Sequence, residues 1–438
     1  MKILVVGGGG REHTLVWKIR QSPLVRELLC APGNAGIARI ATCVDIDAAD
    51  VRGLVAFAEG NRVDLTVVGP EAPLALGLAD ELAKRGLRVF GAAKGAAEIE
   101  SSKVFSKDFM RRHGIPTAAY RVFGGPEGPR EAGAFLDGTG ASYPLVIKAD
   151  GLAAGKGVVI CQDRDGARAA VRAIMEERVH GGAGDRIVIE EFLVGREASF
   201  FALTDGVRRI PLAICQDYKR VGDADAGPNT GGMGAYCPSA HLDEETCRLI
   251  DETIVGPTLA GLASEGRVYR GILYTGLILT DSGPRVLEYN ARFGDPETQV
   301  LLPRMASDLV PLLMECAAGS LQGARVDWKP GSAVCVVAAA AGYPGAIRKG
   351  MPIHGIAEAE AIENVAVFCA GAGPAPGGAP IVSGGRVLAV SALGRDLADA
   401  IARAYEGLGR IHFDGMHYRR DIGRDALPAA SRGAPPPR

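Results

Sequence analysis

Arg285-Val286-Leu287-Glu288-Tyr289-Asn290-Ala291-Arg292-Phe293-Gly294-Asp295-Pro296-Glu297-Thr298 is the stretch from which the fold is best read. Its first half alternates apolar and polar residues, and it follows the largely apolar run Ile272–Leu279, so the two predict neighbouring strands. Strand side chains alternate between faces, which puts Glu288, Asn290 and Arg292 on one face if the strand runs that far. A carboxylate and an amide oxygen two residues apart are hard donors suited to Mg²⁺, an ion that keeps phosphate and water among its ligands. Arg292 beside them can grip a phosphoryl group or a carboxylate bidentately. A solvated polar strand face is the plain alternative, and the apolar strand before it argues against that.

Upstream, Lys148-Ala149-Asp150-Gly151-Leu152-Ala153-Ala154-Gly155-Lys156-Gly157 lies between two strand-like runs, Leu145–Ala149 and Val158–Cys161. It is not a P-loop: Asp150 stands where the first glycine belongs, Gly157 where Ser or Thr belongs, and no helix follows. A glycine-rich hairpin with Lys148 on its strand and Lys156 at its tip can fold over a triphosphate. One lysine–phosphate contact near 4 Å is worth on the order of 4 kcal/mol at an effective dielectric of 20, so such a lid gains most once it excludes water. Further on, Ile187–Glu197 predicts a strand running into a polar hinge, whose backbone can meet an adenine edge while an acid reaches the amino group or the ribose.

At the amino end, Gly7-Gly8-Gly9-Gly10 follows the strand Ile3–Val6 and precedes a helix over Arg11–Gln21, a setting in which backbone amides can face an anion. A dinucleotide fingerprint fails here: Glu12 or His13 falls at the third glycine position, and the second strand ends Cys30-Ala31-Pro32 rather than in an acid. A phosphate-bearing small substrate, or a structural turn, remains. Gly69-Pro70-Glu71 would sit at the same sheet edge, where ligands collect in such folds.

Strand and helix alternate through residues 1–92, including one predicted helix over Leu74–Arg85, and a linker is expected near Ala93–Ser102. The expected organisation is a parallel-sheet, Rossmann-like unit at 1–103, an α+β unit at 104–325 with a lid subdomain at about 120–195, a small α/β unit at 326–425, and a disordered tail from Ala426 to Arg438. Sixty glycines among 438 residues are close to twice the usual share. They cluster, as loops closing on ligands would. Lys plus Arg number 49 and Asp plus Glu 51, a net charge of −2, which argues against a nucleic-acid or anionic-membrane partner. Nine scattered cysteines without a CxxC pair argue against zinc and a disulfide framework and for free thiols in a reducing cytoplasm. No apolar run is long enough to span a bilayer, and the apolar start ends at Val6, too soon for a secretory leader.

Taken together, lid, hinge and Glu-x-Asn strand resemble the ATP-grasp ligases. Several further runs are similar to the glycinamide ribonucleotide synthetase family: Gly9–His13, Ala31–Gly36, Val68–Leu74, Gln216–Asp223, Gly227–Tyr236 and Arg292–Gln299. The resemblance reaches to about Gly423. It departs from the wider ATP-grasp pattern at Gly276, where many such enzymes carry a further metal-binding acid. The resemblance implies a central ATP-grasp domain, ATP with Mg²⁺ or Mn²⁺, and two small substrates, glycine and 5-phosphoribosylamine, joined through glycyl phosphate in purine synthesis. It also implies residue roles. Lys107, Lys148, Gly151, Gly155, Lys156 and Gly157 would hold the ATP phosphates; Glu190, Glu191, Phe192 and Leu193 the adenine; and Glu197 the ribose. Glu288 and Asn290 would bind the metal. Arg292, Asp295 and Asp217 would be catalytic, Arg292 steadying the transferred phosphate or the glycine carboxylate, and Asp217 and Asp295 lining the glycine and amine pocket with Gly231, Gly232, Met233 and Gly234. Gly10, Arg11 and Glu71 would hold the ribose phosphate. A monomer is expected, a weak homodimer being the alternative. The rival readings are another ATP-grasp ligase or carboxylase and a non-catalytic nucleotide-binding protein.

Overall fold

Four segments, 1–152, 157–239, 242–374 and 379–428, are described by the computed structural model. The chain opens with β1 (Lys2–Gly7), α1 (Gly10–Ile19), β2 (Glu27–Pro32), β3 (Thr42–Cys43), α2 (Val51–Gly60), β4 (Leu65–Val68), α3 (Glu71–Leu76), α4 (Leu78–Lys84), β5 (Val89–Phe90) and α5 (Lys94–Ser101). The strands form one parallel sheet in the order β3-β2-β1-β4-β5. Leu65 to Val68 are all buried, as expected of a central strand covered on both faces. Two expectations are corrected. The helix predicted over Leu74–Arg85 is two helices, because Gly77 takes φ +90, a left-handed conformation that ends α3 and starts α4 at an angle. The linker near Ala93–Ser102 is largely helix α5, whose Ala96, Ala97 and Ile99 are buried.

The middle of the chain begins with α6 (Lys103–Arg112), capped by Ser102, whose side chain accepts from the Phe105 N–H. Then come β6 (Tyr120–Gly124), α7 (Gly128–Asp137), β7 (Leu145–Ala149), β8 (Val158–Cys161), α8 (Arg164–Val171) and β9 (Arg186–Glu191), forming the antiparallel sheet β6-β9-β7-β8. Next are β10 (Arg196–Thr204), β11 (Arg209–Pro211), β12 (Gln216–Asp217), β13 (Arg220–Gly222), β14 (Ala226–Asn229), β15 (Gly234–Cys237), α9 (Glu244–Ile250), α10 (Gly256–Ser264), β16 (Gly271–Thr280), β17 (Gly283–Asn290), α11 (Thr298–Arg304) and α12 (Leu309–Ala318). A second antiparallel sheet runs β11-β10-β16-β17.

The last part holds β18 (Ser332–Ala339), α13 (Ile356–Glu360), β19 (Val365–Cys369), β20 (Ala372–Gly373), β21 (Ile381–Val382), β22 (Arg386–Gly394) and α14 (Leu397–Leu408). Its main sheet, β12-β15-β18-β22-β19, takes two strands from the middle of the chain. Gly234–Cys237 pairs with Ala333–Val336, so the expected break near 325 is bridged by backbone hydrogen bonds. One apolar core joins all three parts, with Ile3 and Val5, Phe201 and Tyr274, and Cys335 and Ala389 in one cluster. Helix α1 lies between the first sheet, α11 and β19, and its residues are almost all buried. Even Lys18 is inside, where its ammonium donates to the Met305 carbonyl at 2.6 Å. Ala426 and Leu427, expected in a disordered tail, pack against the apolar core around β18 and β22, and Arg424–Ala426 forms a 3-10 turn. The rest of that expectation, residues 429–438, lies outside the described residues, as does the lid tip at Gly155 and Lys156.

Candidate active site

A cleft of about 1010 Å³ opens between the two antiparallel sheets, the first-sheet loops and the start of β22. On one wall, β7 and β9 bring Lys148 and Glu190 together, and α6 adds Lys107. Glu190 bridges both lysines, at 2.8 Å to Lys107 and 3.1 Å to Lys148. Lys107 also donates to Thr117 Oγ1 at 2.7 Å. Burial pulls the Lys107 ammonium down to about 8 despite Glu190. Lys103, which sequence reasoning missed, lines the same wall and donates to the Gly151 carbonyl at 2.7 Å. One carboxylate against three ammoniums leaves a surplus of positive charge, which suits phosphates. The Glu190 carboxylate, expected at adenine, is thus spent on the lysine pair. Glu191 also lines the cleft and accepts from the Ala119 N–H. Between β9 and β10, Phe192, Leu193 and Val194 border the cleft. Glu197, expected at the ribose, pairs with Lys219 at 3.0 Å. Gly157 reaches the cleft, whereas Gly151 lies at the lid base behind it.

Across the cleft, β17 carries Glu288 opposite Gly276 and Asn290 opposite Tyr274 on β16. The register slips by one residue between these pairs and the next. This β-bulge frees the Leu287 carbonyl, which accepts from Lys148 Nζ at 3.0 Å. Glu288 and Asn290 both line the cleft. Glu288 has no hydrogen-bond or ion-pair partner among the described residues; burial raises its carboxyl, but Lys219, Lys148, Lys103 and Arg292 together hold it below the ordinary range. An ionised oxygen donor facing a cleft, with an amide oxygen two residues on, fits a divalent ion in its donor set. A side chain at Gly276 would press on Glu288, since a Cβ there comes 3.1 Å from its Cγ.

Arg292, expected to steady the transferred phosphate or the glycine carboxylate, lines the cleft and is held by three neighbours. It donates to Asn290 Oδ1 at 2.8 Å and is clamped by Glu71 at 3.1 Å and Glu100 at 2.9 Å. Burial raises Glu100 to about 6, with Arg292 opposing. Burial would raise Glu71 too, yet Arg292 and Arg11 bring it to about 2. Glu71 lines the cleft as a partner of these two arginines. At the glycine turn Gly9 N–H donates to Glu12 at 2.7 Å, so an acid of the chain caps α1 there, as the structural-turn reading has it. A Cβ at Gly69 would lie 2.2 Å from Glu12 Oε1, which explains the glycine there. Arg11 borders the cleft but is engaged by Glu12 and the Phe293 carbonyl, and Gly10 is packed beneath Gln299, off the wall.

The far end of the cleft is acidic. Asp217 pairs with Lys219 at 3.3 Å, and Ser199 Oγ lies within reach of Asp217, Glu297 and Tyr274. Burial, then the Asp217 charge, raises Glu297 to about 7. Asp295 accepts from Gln299 at 2.7 Å and from Arg386 at 3.0 Å. Of the loop expected here only Gly231 borders the cleft. Gly232 abuts Pro296, Met233 is fully buried, and Gly234 enters β15 against Cys335. Ser199, Lys219, Glu297 and Arg386 were missed along with Glu100 and Lys103. Ser102 before a helical run was a cap signal for Lys103. Arg386 is brought in from far along the chain and carried no local signal.

The biotin carboxylase of Campylobacter jejuni is similar in fold, with a TM-score of 0.72 over 95% of this chain and 93% of that one at 14% identity. That likeness defines the architectural class, and residues 101–298 match the ATP-grasp (A) domain of phosphoribosylglycinamide synthetase. Residues 1–100 match its N domain and 333–425 its C domain. The phosphoribosylamine–glycine ligase of Caulobacter vibrioides is 51% identical over 431 residues, 98% of this chain and 99% of that one. The crystal structure of the phosphoribosylamine–glycine ligase of Thermotoga maritima superposes with a TM-score of 0.83 at 36% identity, covering 96% of this chain and 100% of that one. The chain belongs to the phosphoribosylamine–glycine ligase family.

Proposed function

We propose that this protein is a ligase that joins glycine to 5-phosphoribosylamine at the expense of ATP, a step of purine biosynthesis. Likeness at about half identity along the whole chain to relatives of that name carries the reading. The cleft supports it with a nucleotide wall rich in lysine and an acidic far end. Glycine's carboxylate takes the γ-phosphoryl group, giving glycyl phosphate and ADP. The amine then attacks the acyl carbon, the C–O bond to phosphate breaks, and glycinamide ribonucleotide and phosphate leave. A carboxylate is a poor acylating agent until a good leaving group is attached, so the protein's work is positioning and charge stabilisation.

Lys103, Lys107 and Lys148 face the phosphates, and Phe192 and Leu193 border the base. Glu288 and Asn290 would hold Mg²⁺ or Mn²⁺, which when bound neutralises charge on the phosphate oxygens. Arg292, fixed by two acids, orients Asn290. Asp217 and Glu297 suit the ammonium of an amino acid. Arg11, Gly231 and Asp295 border the space left for the sugar amine. A monomer working in the cytoplasm is part of the same proposal.

Incubation with ATP, Mg²⁺, phosphoribosylamine and one carboxylate at a time tests the reading. Glycine is expected to release ADP. Release with bicarbonate instead would make the protein a carboxylase of the same fold, and ATP binding without release would make it a nucleotide sensor.

A further inference from the structure

We infer that Arg386 is a positioning residue through which the C-terminal segment sets the geometry of the acceptor end of the cleft. The inference deepens the proposed ligase activity and rests on it. Arg386 is the first residue of β22, and its guanidinium hydrogen-bonds to two loops that also touch where Gly232 abuts Pro296. One nitrogen donates to the carbonyls of Gly231 and Asp295, each at 2.8 Å. The other meets the Asp295 carboxylate at 3.0 Å. On the preceding peptide, Gly231 N–H donates to Tyr343 Oη at 3.0 Å, so C-terminal residues hold both flanks of Gly231. The neighbouring Gly385 is required for this, because a Cβ there would stand 2.4 Å from the Tyr343 ring.

The chemistry favours arginine. A planar fork can serve two carbonyls and a carboxylate at once, whereas an ammonium on a flexible stem cannot match that geometry. The contacts converge on residues that border the cleft rather than on the interior of a sheet. They also lie apart from Lys103, Lys107 and Lys148. Arg386 opposes the burial that would otherwise raise the Asp295 carboxyl, with Arg11 and Arg292 as the other cations felt there. Fixed this way, Asp295 and Gly231 form a rigid rim where the amine must approach the acyl carbon. A misplacement of about 1 Å in such a rim can cost about 10²-fold in rate.

The test compares the full-length parent with Arg386→Ala and Arg386→Lys. The parent must first show glycine-dependent ADP release; if it does not, the proposed activity falls, whatever Arg386 does. With that in hand, Arg386→Ala is expected to lower kcat/KM for phosphoribosylamine or glycine by about 10²-fold. The dissociation constant of a non-hydrolysable ATP analogue should stay within about twofold, below the tenfold that 1.4 kcal/mol would produce. Arg386→Lys should recover little, and added guanidinium ion should restore part of the alanine variant's turnover. Amide hydrogen exchange should quicken at 230–234 and 293–297 but not at 146–149 or 158–161. Equal losses in analogue affinity and in both substrate parameters would overturn the inference in favour of a general structural role. Full activity in Arg386→Lys, or unchanged parameters in Arg386→Ala, would also overturn it.

Discussion

The two ends of the cleft are built differently. The lysine-rich end, proposed for the nucleotide, comes from residues 103–290, and its decisive contacts run between adjacent elements: Lys148 and Glu190 on paired strands, and Glu288 beside Gly276. The end proposed for the acceptor is assembled from Arg11, Glu71, Asp217, Gly231, Asp295 and Arg386, drawn from all three parts of the chain. Its charges are largely paired among themselves, whereas the nucleotide end keeps an excess of lysine. A polyanion can be met by surplus charge on one sheet, since Coulomb attraction tolerates small errors in place. Aligning an amine with an acyl carbon needs direction, and direction here comes from several parts locked together.

Perturbations should therefore divide the two ends, with the largest effect at the nucleotide end. Glu288→Ala should lower turnover by on the order of 10²–10³, the scale for one preorganised charge-stabilising group. Turnover measured across a Mg²⁺ titration checks it, and a value within about twofold of the parent, well under one tenfold step, would remove Glu288 from the metal site. Next, Arg292→Ala strips the shared partner from Glu71 and Glu100. Breaking a buried pair costs about 3–5 kcal/mol, and the exposure of Glu71 places the loss near the lower figure. The urea midpoint should fall accordingly, with part of it recovered by adding Glu100→Gln. Smaller again, Ser102→Ala removes the cap of α6, worth about 1 kcal/mol, and a hydrogen bond to Asp150 at the lid base. The melting temperature should drop by a few degrees and KM for ATP should rise, with KM for glycine unmoved.

The smallest effect at neutral pH belongs to His13. Burial, with Arg39 adding to it, lowers this imidazole from 6.5 to about 4, and its Nδ1 accepts the Cys369 N–H at 2.8 Å. A lowered folded-state value means the neutral ring's contribution is complete above 6.5 and is lost as pH falls towards 4. Stability measured between pH 7 and 4 should decline more steeply in the parent than in His13→Gln. A parallel decline would show that this contact between α1 and β19 does not sense acid.

How much could be read beforehand follows the same division. The alternation in Arg285–Asn290 and the interrupted apolar runs around the lid are local patterns, and β7, β8 and β17 fall close to where they were expected. Charge partners are not local. Nothing in Glu71-Ala72-Pro73 says that its acid meets Arg292, and nothing in Gly384-Gly385-Arg386 says that it meets Asp295. The glycine turn at 7–10 left two readings open for a related reason. The pattern announces a tight turn with room above it, and the turn's own helix fills that room with Glu12.

The strand exchange in the last sheet bears on how the protein can be handled. Because β15 pairs with β18, a fragment stopping near residue 330 would carry a bare strand rim, and the remaining piece would lack its matching border. Exposed rims recruit other chains, so such fragments should precipitate separately and stay soluble when made together. Complementation in trans would then rebuild the sheet, whereas a proteolytic nick at an outer loop would leave the assembly intact.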